Sequence, residues 1–344
     1  MGFRRSLGAG MAMLAASAVS FGVASPAQAA LDDKQPIKYT VTGASVQGYF
    51  KVVVESINGI VREVYPGTAA TFKPGSPAGG ILETATGKAE FTFTSGAPEI
   101  AYALEGKAPF RESLKGKVMH VMTLHRQLIV HNLMTKAWAD EYGIKTFADI
   151  AAKKPPMRLA VNDLANLQST LGMHIAIFNA HGFQEDDVPK WRGSFLRGNS
   201  GIGLDALRDG KADVYINGRF LPDSTTVDVA RGRDLLWIDG DPAMMKKAAD
   251  TWNYETLVIP KSTYPFLTKD VTTLKLWNTI NSGPSTSEET VYKFVKALYE
   301  NQKRVQAIHP SLGDFSGEEM VWNPMKLPLH PGAERFYREA GLLK

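Results

Sequence analysis

The chain has 344 residues, of which 44% are hydrophobic and 22% are charged, and its formal net charge is +4. This is the composition of a globular protein with room for two domains. The small charge argues against bulk electrostatic binding to nucleic acid or to an acidic membrane surface. The absence of cysteine excludes disulfides, thiolate metal sites and cysteine nucleophiles.

The N-terminus has the three parts of a secretory signal. Arg4-Arg5 precedes a short apolar run rich in Ala and Gly, and the A-x-A-like segment Ala27-Gln28-Ala29 follows. We therefore expect residues 1–30 to be removed on export to the periplasm. A membrane anchor is the alternative, but the run is shorter and less apolar than the ~20 residues that a spanning helix needs. The arginine pair would also suit twin-arginine export, whereas ordinary secretion fits a chain without a predicted cofactor.

Strands and helices alternate at the start of the mature chain. The predicted elements are, in order, strand 37–43, helix 49–64, strand 68–73, helix 81–86 and strand 91–94. Residues 74–80, Pro-Gly-Ser-Pro-Ala-Gly-Gly, are expected to form a loop. This alternation indicates an α/β lobe with a largely parallel sheet.

A similar alternation follows further along the chain. The predicted elements are a helix starting at 146, strand 158–161, a helix from 169 or 170 to 180, helix 202–208 and strand 213–217. Gly182 is expected to end the helix that reaches residue 180, where Ser169 or Thr170 is the expected cap. Residues 198–203 resemble a phosphate loop but lack the following Lys-Ser/Thr, so we expect a flexible loop there.

Two stretches of the chain share one pattern. Residues 85–94 and 208–217 both read as a helix end, a Gly turn, Lys-Ala, an acid and an alternating strand. Coincidence of a common α-to-β turn is one interpretation, and two lobes of similar build is the other. Because ligands lie outside the carboxyl ends of parallel strands, the second interpretation puts Thr94-Ser95 and Asn217 on opposite walls of one cleft.

No motif in the sequence points to catalysis. The seven histidines contain no H-E-x-x-H pair, and there is neither a G-x-S-x-G elbow nor a complete dinucleotide fingerprint. We therefore predict a binding protein rather than an enzyme, with no cofactor. A secreted lyase or hydrolase is the alternative.

The end of the chain carries a resemblance to a known family. Residues 327–341, Leu-Pro-Leu-His-Pro-Gly-Ala-Glu-Arg-Phe-Tyr-Arg-Glu-Ala-Gly, closely resemble the ending of the TAXI family, the TRAP-transporter-associated extracytoplasmic receptors. Residues 288–301 are similar to the penultimate helix of that family, and residues 205–213 to its second-lobe helix and turn. The segment from Thr42-Gly43 to Tyr49-Phe50 resembles its first ligand loop.

The sequence also departs from the family pattern at both ligand loops. Gly43-Ala44-Ser45 stands where the family has paired glycines, and residues 166–170 replace a short Gly-Ser-Gly-Thr. Only Thr170, and with it Ser169, corresponds to that second loop.

The resemblance implies a fold, a function and partners. The fold is a two-lobed α/β periplasmic binding protein, type II-like, with a ligand cleft between lobe 1 (31–135 plus 255–344) and lobe 2 (136–254). The protein would act as a monomer and deliver a small organic anion, such as a dicarboxylate, a keto acid or glutamate, to a TRAP permease in the membrane. The alternatives are a receptor of an ABC importer and a ligand-presenting sensor for a membrane kinase.

The candidate ligand residues combine this resemblance with the strand-end argument. They are Thr42, Gly43, Tyr49, Ser95, Ser169, Thr170, Asn217 and Arg219. Helices that follow strands offer free N–H groups and positive dipole ends to a carboxylate. Arg126, Arg197 and Arg219 are candidates for a bidentate clamp, and we prefer Arg219 because it follows a polar strand end. Tyr49 would stack on the ligand or simply pack at a helix start.

Overall fold

The computed structural model describes residues 1–2, 34–44, 49–162 and 171–343. The chain from Lys34 onward forms one compact unit. The predicted signal segment, the loop at 45–48, and Ser169 and Thr170 lie outside the described residues. Among the helices that are described, none is both long enough and apolar enough to cross a bilayer.

Strands and helices alternate through the first half of the described chain. Its elements are β1 (Lys38–Thr42), α1 (Tyr49–Val64), β2 (Ala69–Phe72), α2 (Pro77–Ala85), β3 (Phe91–Ser95), α3 (Ala97–Glu105), β4 (Met119–Thr135), α4 (Lys136–Tyr142), α5 (Phe147–Lys153) and β5 (Arg158–Val161).

The second half continues the alternation and ends in helices. Its elements are α6 (Leu171–Ala180), α7 (Asp187–Lys190), β6 (Ser194–Arg197), α8 (Ser200–Arg208), β7 (Val214–Arg219), α9 (Ser224–Gly232), β8 (Leu235–Trp237), α10 (Pro242–Asp250), β9 (Glu255–Ile259), β10 (Val271–Ser282), α11 (Glu288–Glu300), α12 (Gln302–Gln306), α13 (Gly317–Val321) and α14 (Pro331–Glu339). Short 3₁₀ turns lie at Lys261–Thr263 and Pro310–Leu312.

The ten strands of the described residues join in one mixed sheet. Its order is β2-β1-β3-β10-β4-β7-β5-β6, with β8 also paired to β4 and β9 to β10. On one side of the sheet β1, β2 and β3 are parallel to one another, and on the other side β5, β6 and β7 are parallel to one another, as the sequence predicts. The two long central strands, β4 and β10, are antiparallel to each other. β4 is also antiparallel to β7, and β10 is antiparallel to β3. The sequence pattern did not predict these two strands.

Two units of the same topology flank this central pair. One is β1-α1-β2-α2-β3, and the other is β5-α6-β6-α8-β7 with the short α7 added. The glycine turns before β3 and β7 match closely, since Gly87 has φ +71° and Gly210 has φ +70°. The N–H of the next lysine reaches back to the preceding helix over 2.8 Å in both turns. The two similar stretches of sequence are therefore equivalent turns in equivalent units.

Two helices begin earlier than the sequence predicts. The loop prediction for 74–80 is wrong in its second half, because α2 begins at Pro77, with the Ser76 hydroxyl accepting from the Gly79 N–H at 3.1 Å. The loop prediction for 198–203 is also wrong from Ser200 onward, because the Asn199 side chain accepts from the Ile202 N–H at 3.0 Å and starts α8. Both helices contain glycines near their starts, which interrupt the apolar pattern by which a helix is recognised in a sequence.

The distinctive C-terminal motif packs α14 against α11. His330 caps α14 by accepting the Gly332 N–H at 3.3 Å. A Cβ on Gly332 would lie 2.2 Å from the Glu288 carbonyl oxygen, so only glycine allows this approach of the two helices. Tyr337 is fully buried and donates to the Val121 carbonyl of β4 at 2.7 Å. The motif therefore has a structural role in joining the C-terminus to the central sheet.

Candidate functional site

The carboxyl ends of β3 and β7 point toward each other along the central strand β4. β3 ends at Ser95, level with Thr123 of β4, since both residues pair with the same residue of β10. β7 runs in the opposite direction and ends at Arg219, paired with Ile129 of β4. Residues 124–128 of β4 lie between the two ends. Because ligands in such sheets bind outside the carboxyl ends of strands, this is the candidate site.

The end of β1 lies in close contact with β3 and the first turn of α2. Gly43 has φ +81°, and a Cβ there would lie 2.2 Å from the Thr92 hydroxyl. A Cβ on Gly80 of α2 would lie 2.5 Å from the Gly43 Cα. The hydroxyls of Thr42 and Thr92 are buried and have no hydrogen-bond partner among the described residues. Glycine at 43 and 80 thus brings two hydroxyl groups to the base of the predicted ligand loop.

Tyr49 starts α1 inside a cluster of aromatic rings. This aromatic cluster consists of Tyr49, Phe50, His125, Phe220 and His309. The Tyr49 ring centroid lies 4.4 Å from that of Phe220 and 4.7 Å from that of His309. Burial raises the pKa of Tyr49 above its ordinary value. Because Phe220 directly follows Arg219, the aromatic cluster joins the start of α1 to the end of β7.

The aromatic cluster is uncharged at neutral pH. His125 lies on β4 within the candidate site, and burial, with a smaller contribution from the charge of His309, lowers its pKa to about 3. Burial also lowers the pKa of His309. Both imidazoles are therefore neutral, and the cluster can hold an apolar or hydrogen-bonding group of a ligand without carrying charge itself.

Two asparagines meet where β5 and β7 end. The Asn217 amide donates to the Asn162 side-chain oxygen at 2.5 Å, and the Gly218 N–H donates to the Asn217 oxygen at 2.8 Å. Asn217 is only 3% exposed. The sequence pattern pointed to Asn217 but not to Asn162, although Asn162 is the first polar residue after a predicted strand.

The remaining predicted residues are described only in part. Ser95 ends the backbone of β3, but its side chain lies outside what is described, as do Ser169 and Thr170. The ligand roles of these residues stay predictions.

Each of the three candidate arginines is already paired with a carboxylate. Arg126 contacts Glu319 and Glu255, and Arg197 contacts Glu185. Arg219 pairs with Asp223 at 2.5 Å. It also donates to the hydroxyls of Ser200 and Thr225, at 3.1 and 3.0 Å.

The carboxylates paired with Arg197 and Arg219 have lowered pKa values. Burial works against ionisation, but contacts with His174 and Arg197 hold the pKa of Glu185 at about 2. The pKa of Asp223 is likewise lowered, because hydrogen bonds from Arg219 and Thr226 outweigh its burial. Arg219 can therefore bind an anion in two ways. The anion can share the guanidinium group with Asp223, or it can accept from the buried Nε, which has no partner among the described residues.

Helix N-termini also approach the candidate site. α3 begins at Ala97, directly after β3, and the Ala97 N–H donates to the Tyr254 hydroxyl at 3.1 Å. Near the start of α6, a Cβ on Gly172 would lie 3.0 Å from both Pro98 and Trp252. The starts of α3 and α6 are therefore close together, and their dipoles favour a negative group nearby. Within the described ranges, no group of His, Asp and Glu side chains could hold a metal ion.

Comparison with known proteins identifies a family and a fold. Residues 42–341 match the NMT1-like family. The structure resembles that of MatC from Rhodopseudomonas palustris with bound malate, with a TM-score of 0.52 and 13% identity over 89% of this chain and 97% of that one. It also resembles a protein described as a periplasmic transporter, with a TM-score of 0.50 and 12% identity over 90% of this chain and 93% of that one. The predicted α/β fold of periplasmic binding proteins is confirmed.

Proposed function

Because the chain belongs to the NMT1-like family, we propose that it is the solute-binding subunit of a TAXI-type TRAP transporter. It captures a small organic anion in the periplasm and delivers it unchanged to a membrane permease. The observation that carries the proposal is that the carboxyl ends of β3 and β7 face each other across residues 124–128 of β4. Two equivalent units then contribute equivalent strand ends to one ligand.

The chemistry around this position suits a carboxylate held mainly by neutral donors. Asn162 and Asn217 supply amide groups, and the helices that follow β3 and β5 present their N-termini. The nearby cation, Arg219, is balanced by Asp223. It can therefore orient a carboxylate through hydrogen bonds, but it adds no net positive charge to the site. MatC, a protein of the same fold, holds malate, which supports a small dicarboxylate, keto acid or acidic amino acid as the ligand class.

We further propose that the ligand closes two lobes about the central strands. Lobe 1 comprises residues 31–135 and 255–344, and lobe 2 comprises residues 136–254. β10 pairs with β3 of one unit and β4 pairs with β7 of the other. The pairing between β4 and β10 is irregular between Leu276 and Thr279, level with the candidate site. Such irregularities let paired strands bend, and two crossing strands make a hinge.

A ligand screen on the mature protein tests this function. Malate, 2-oxoglutarate, glutamate and related acids are compared by thermal shift, because a ligand at 100 times its Kd adds about 2.7 kcal/mol of stability. For the best ligand, calorimetry should show one site, scattering should show a more compact particle, and the ligand should be recovered unchanged. Chemically altered ligand would instead indicate an enzyme.

Matched variants locate the site. Asn217→Ala should weaken ligand binding about tenfold or more, since it removes a buried hydrogen-bonding group. Arg335→Ala, on α14, should bind as the unaltered protein does. Equal affinity in both variants would overturn the placement of the site at the end of β7. Uptake driven by an ion gradient without ATP, in vesicles that carry the permease, would separate a TRAP partner from an ABC importer.

A further inference from the structure

A second cavity lies beside the C-terminal end of β4, at Met134, away from residues 124–128. It has a volume of about 370 Å³ and lies between β8, the start of β10 and the loops at 144–146 and 266–269. This volume is within the range of about 300–1,000 Å³ that is usual for small-molecule sites. Seven of its twelve lining side chains are hydrophobic, so its interior suits an apolar group. We call it the apolar pocket.

The walls of the apolar pocket are held in place by hydrogen bonds and ring contacts. The Asp239 N–H donates to the Lys145 carbonyl at 3.0 Å, and the Leu267 N–H donates to the Tyr264 carbonyl at 3.0 Å. The Phe266 ring stacks on Tyr264 with a centroid distance of 5.2 Å. The pocket is therefore formed before a ligand enters, which lowers the entropic cost of binding.

The polar groups at the apolar pocket favour an anion. Lys269 pairs with Asp239, whereas Lys145 makes no ion pair with the described residues. Lys145, Lys269 and Asp239 are the charged residues that line the pocket, and together they carry one excess positive charge. Trp237 also lines the pocket; it is 6% exposed, and its indole N–H has no acceptor among the described residues. The ammonium group of Lys145 and the indole N–H of Trp237 thus border an apolar space without a partner among the described residues.

We propose that the apolar pocket binds a medium-chain alkyl or aryl carboxylate. The apolar body of the ligand fills the space between Leu236, Phe266 and Leu267, and its carboxylate faces Lys145 at the rim. This site is separate from the strand-end site, because its lining residues include none of the residues at the ends of β1, β3 and β5. The inference does not depend on the proposed transport function.

Octanoate is the probe, and calorimetry on the purified mature protein is the measurement. We expect one octanoate per chain, and weaker binding of butyrate, which is too short, and of octanol, which lacks the charge. Lys145→Ala should weaken octanoate binding about two- to fivefold, as expected for an exposed charge contact. Lys261→Ala, an exposed lysine outside the pocket, is the matched control and should bind octanoate normally.

Two bulky substitutions should block the apolar pocket. Leu236→Trp fills it from the side, and Thr268→Trp covers it from an exposed position, which keeps the test valid if the first variant folds poorly. Each should weaken octanoate binding at least tenfold. Asn217→Ala should not change octanoate binding, so failure here and failure of the strand-end site are distinguishable.

Nuclear magnetic resonance provides a readout of position. The chain has six tryptophans, and octanoate should shift the indole N–H resonance of Trp237, assigned by its loss in Trp237→Phe. No octanoate binding, binding that leaves the Trp237 resonance in place, or unchanged binding in both bulky variants would each overturn the proposal. Octanol binding as tightly as octanoate would overturn the role of Lys145.

Discussion

A methyl group added at Gly80 should destabilise the protein, although Gly80 lies in a helix. Alanine is normally favoured over glycine in a helix by about 1 kcal/mol. At this position, however, a Cβ would lie 2.5 Å from the Gly43 Cα, 2.9 Å from the Gly43 nitrogen and 2.4 Å from the Thr92 hydroxyl. Two of these neighbours are backbone atoms, so the end of β1 must move. Overpacking of this kind costs about 1–3 kcal/mol. After subtraction of the helix preference of about 1 kcal/mol, we expect a net loss of up to about 2 kcal/mol.

Gly59 in α1 is the matched control, because a Cβ there would have nothing within 4 Å. Gly59→Ala should therefore stabilise the protein by about 0.5–1 kcal/mol. Urea unfolding of the two variants gives both values from the transition midpoints at a common slope. Gly80→Ala should also weaken binding of the proposed ligand, because Gly43 leads into the predicted ligand loop. A Gly80→Ala variant that is as stable as Gly59→Ala would refute the close-contact argument.

Three further predictions follow from other parts of the chain. Asn217→Ala should cost about 1–3 kcal/mol in urea unfolding, because it removes the buried hydrogen bond to Asn162; an unchanged midpoint would contradict this. The pKa of Glu185 is about 2 in the folded protein, below an unfolded value of about 4.3, so its stabilising contribution is present above that value and is lost as the pH falls toward 2. Glu185→Gln should therefore lose stability less steeply than the unaltered protein between about pH 5 and 2, and parallel curves would count against the ion pair. Finally, N-terminal sequencing of exported protein should begin at about Ala30 or Leu31, and an intact Met1 would disprove removal of the signal.

Elements with strong periodicity could be predicted from the sequence with good accuracy. α1 has the predicted bounds of 49–64, and β5 has the predicted bounds of 158–161. Both carry a regular apolar pattern and stop at clear signals, such as Pro66-Gly67 after α1. Where the local pattern and the tertiary environment agree, the sequence is sufficient.

β4 was missed because its environment is unusual for a strand. It is buried along most of its length yet carries His120, His125, His131 and Asn132, so neither alternation nor a continuous apolar run marks it. Its polar groups find partners far away in sequence; His131, for example, lies 2.7 Å from the Tyr264 hydroxyl. A single sequence does not reveal such partners.

The same limit applies to the candidate arginines. Their positions near strands could be predicted, but the partner of Arg126 could not, since Arg126 and Glu319 are 193 residues apart. Asp223 is only four residues from Arg219, but it follows the end of β7, so no helix or strand period predicts that the two side chains meet. The pairing changes the expected chemistry at Arg219, because a guanidinium balanced by Asp223 offers less net attraction to an anion than an isolated one does. Knowing a residue type and its place on a strand therefore leaves its charge balance undetermined.

The pairing of β4 with β10 also affects how the protein folds. The centre of the sheet cannot form until the whole of residues 136–270 has been synthesised and has brought β10 back beside β4. Contacts between residues so far apart in sequence slow folding, because the loop must close before the contacts contribute. We therefore expect refolding from urea to be slow, with β5-α6-β6-α8-β7 gaining protection from hydrogen exchange before β10. Slow completion of the sheet would also suit the proposed export, because a chain that folds slowly stays unfolded while it crosses a membrane.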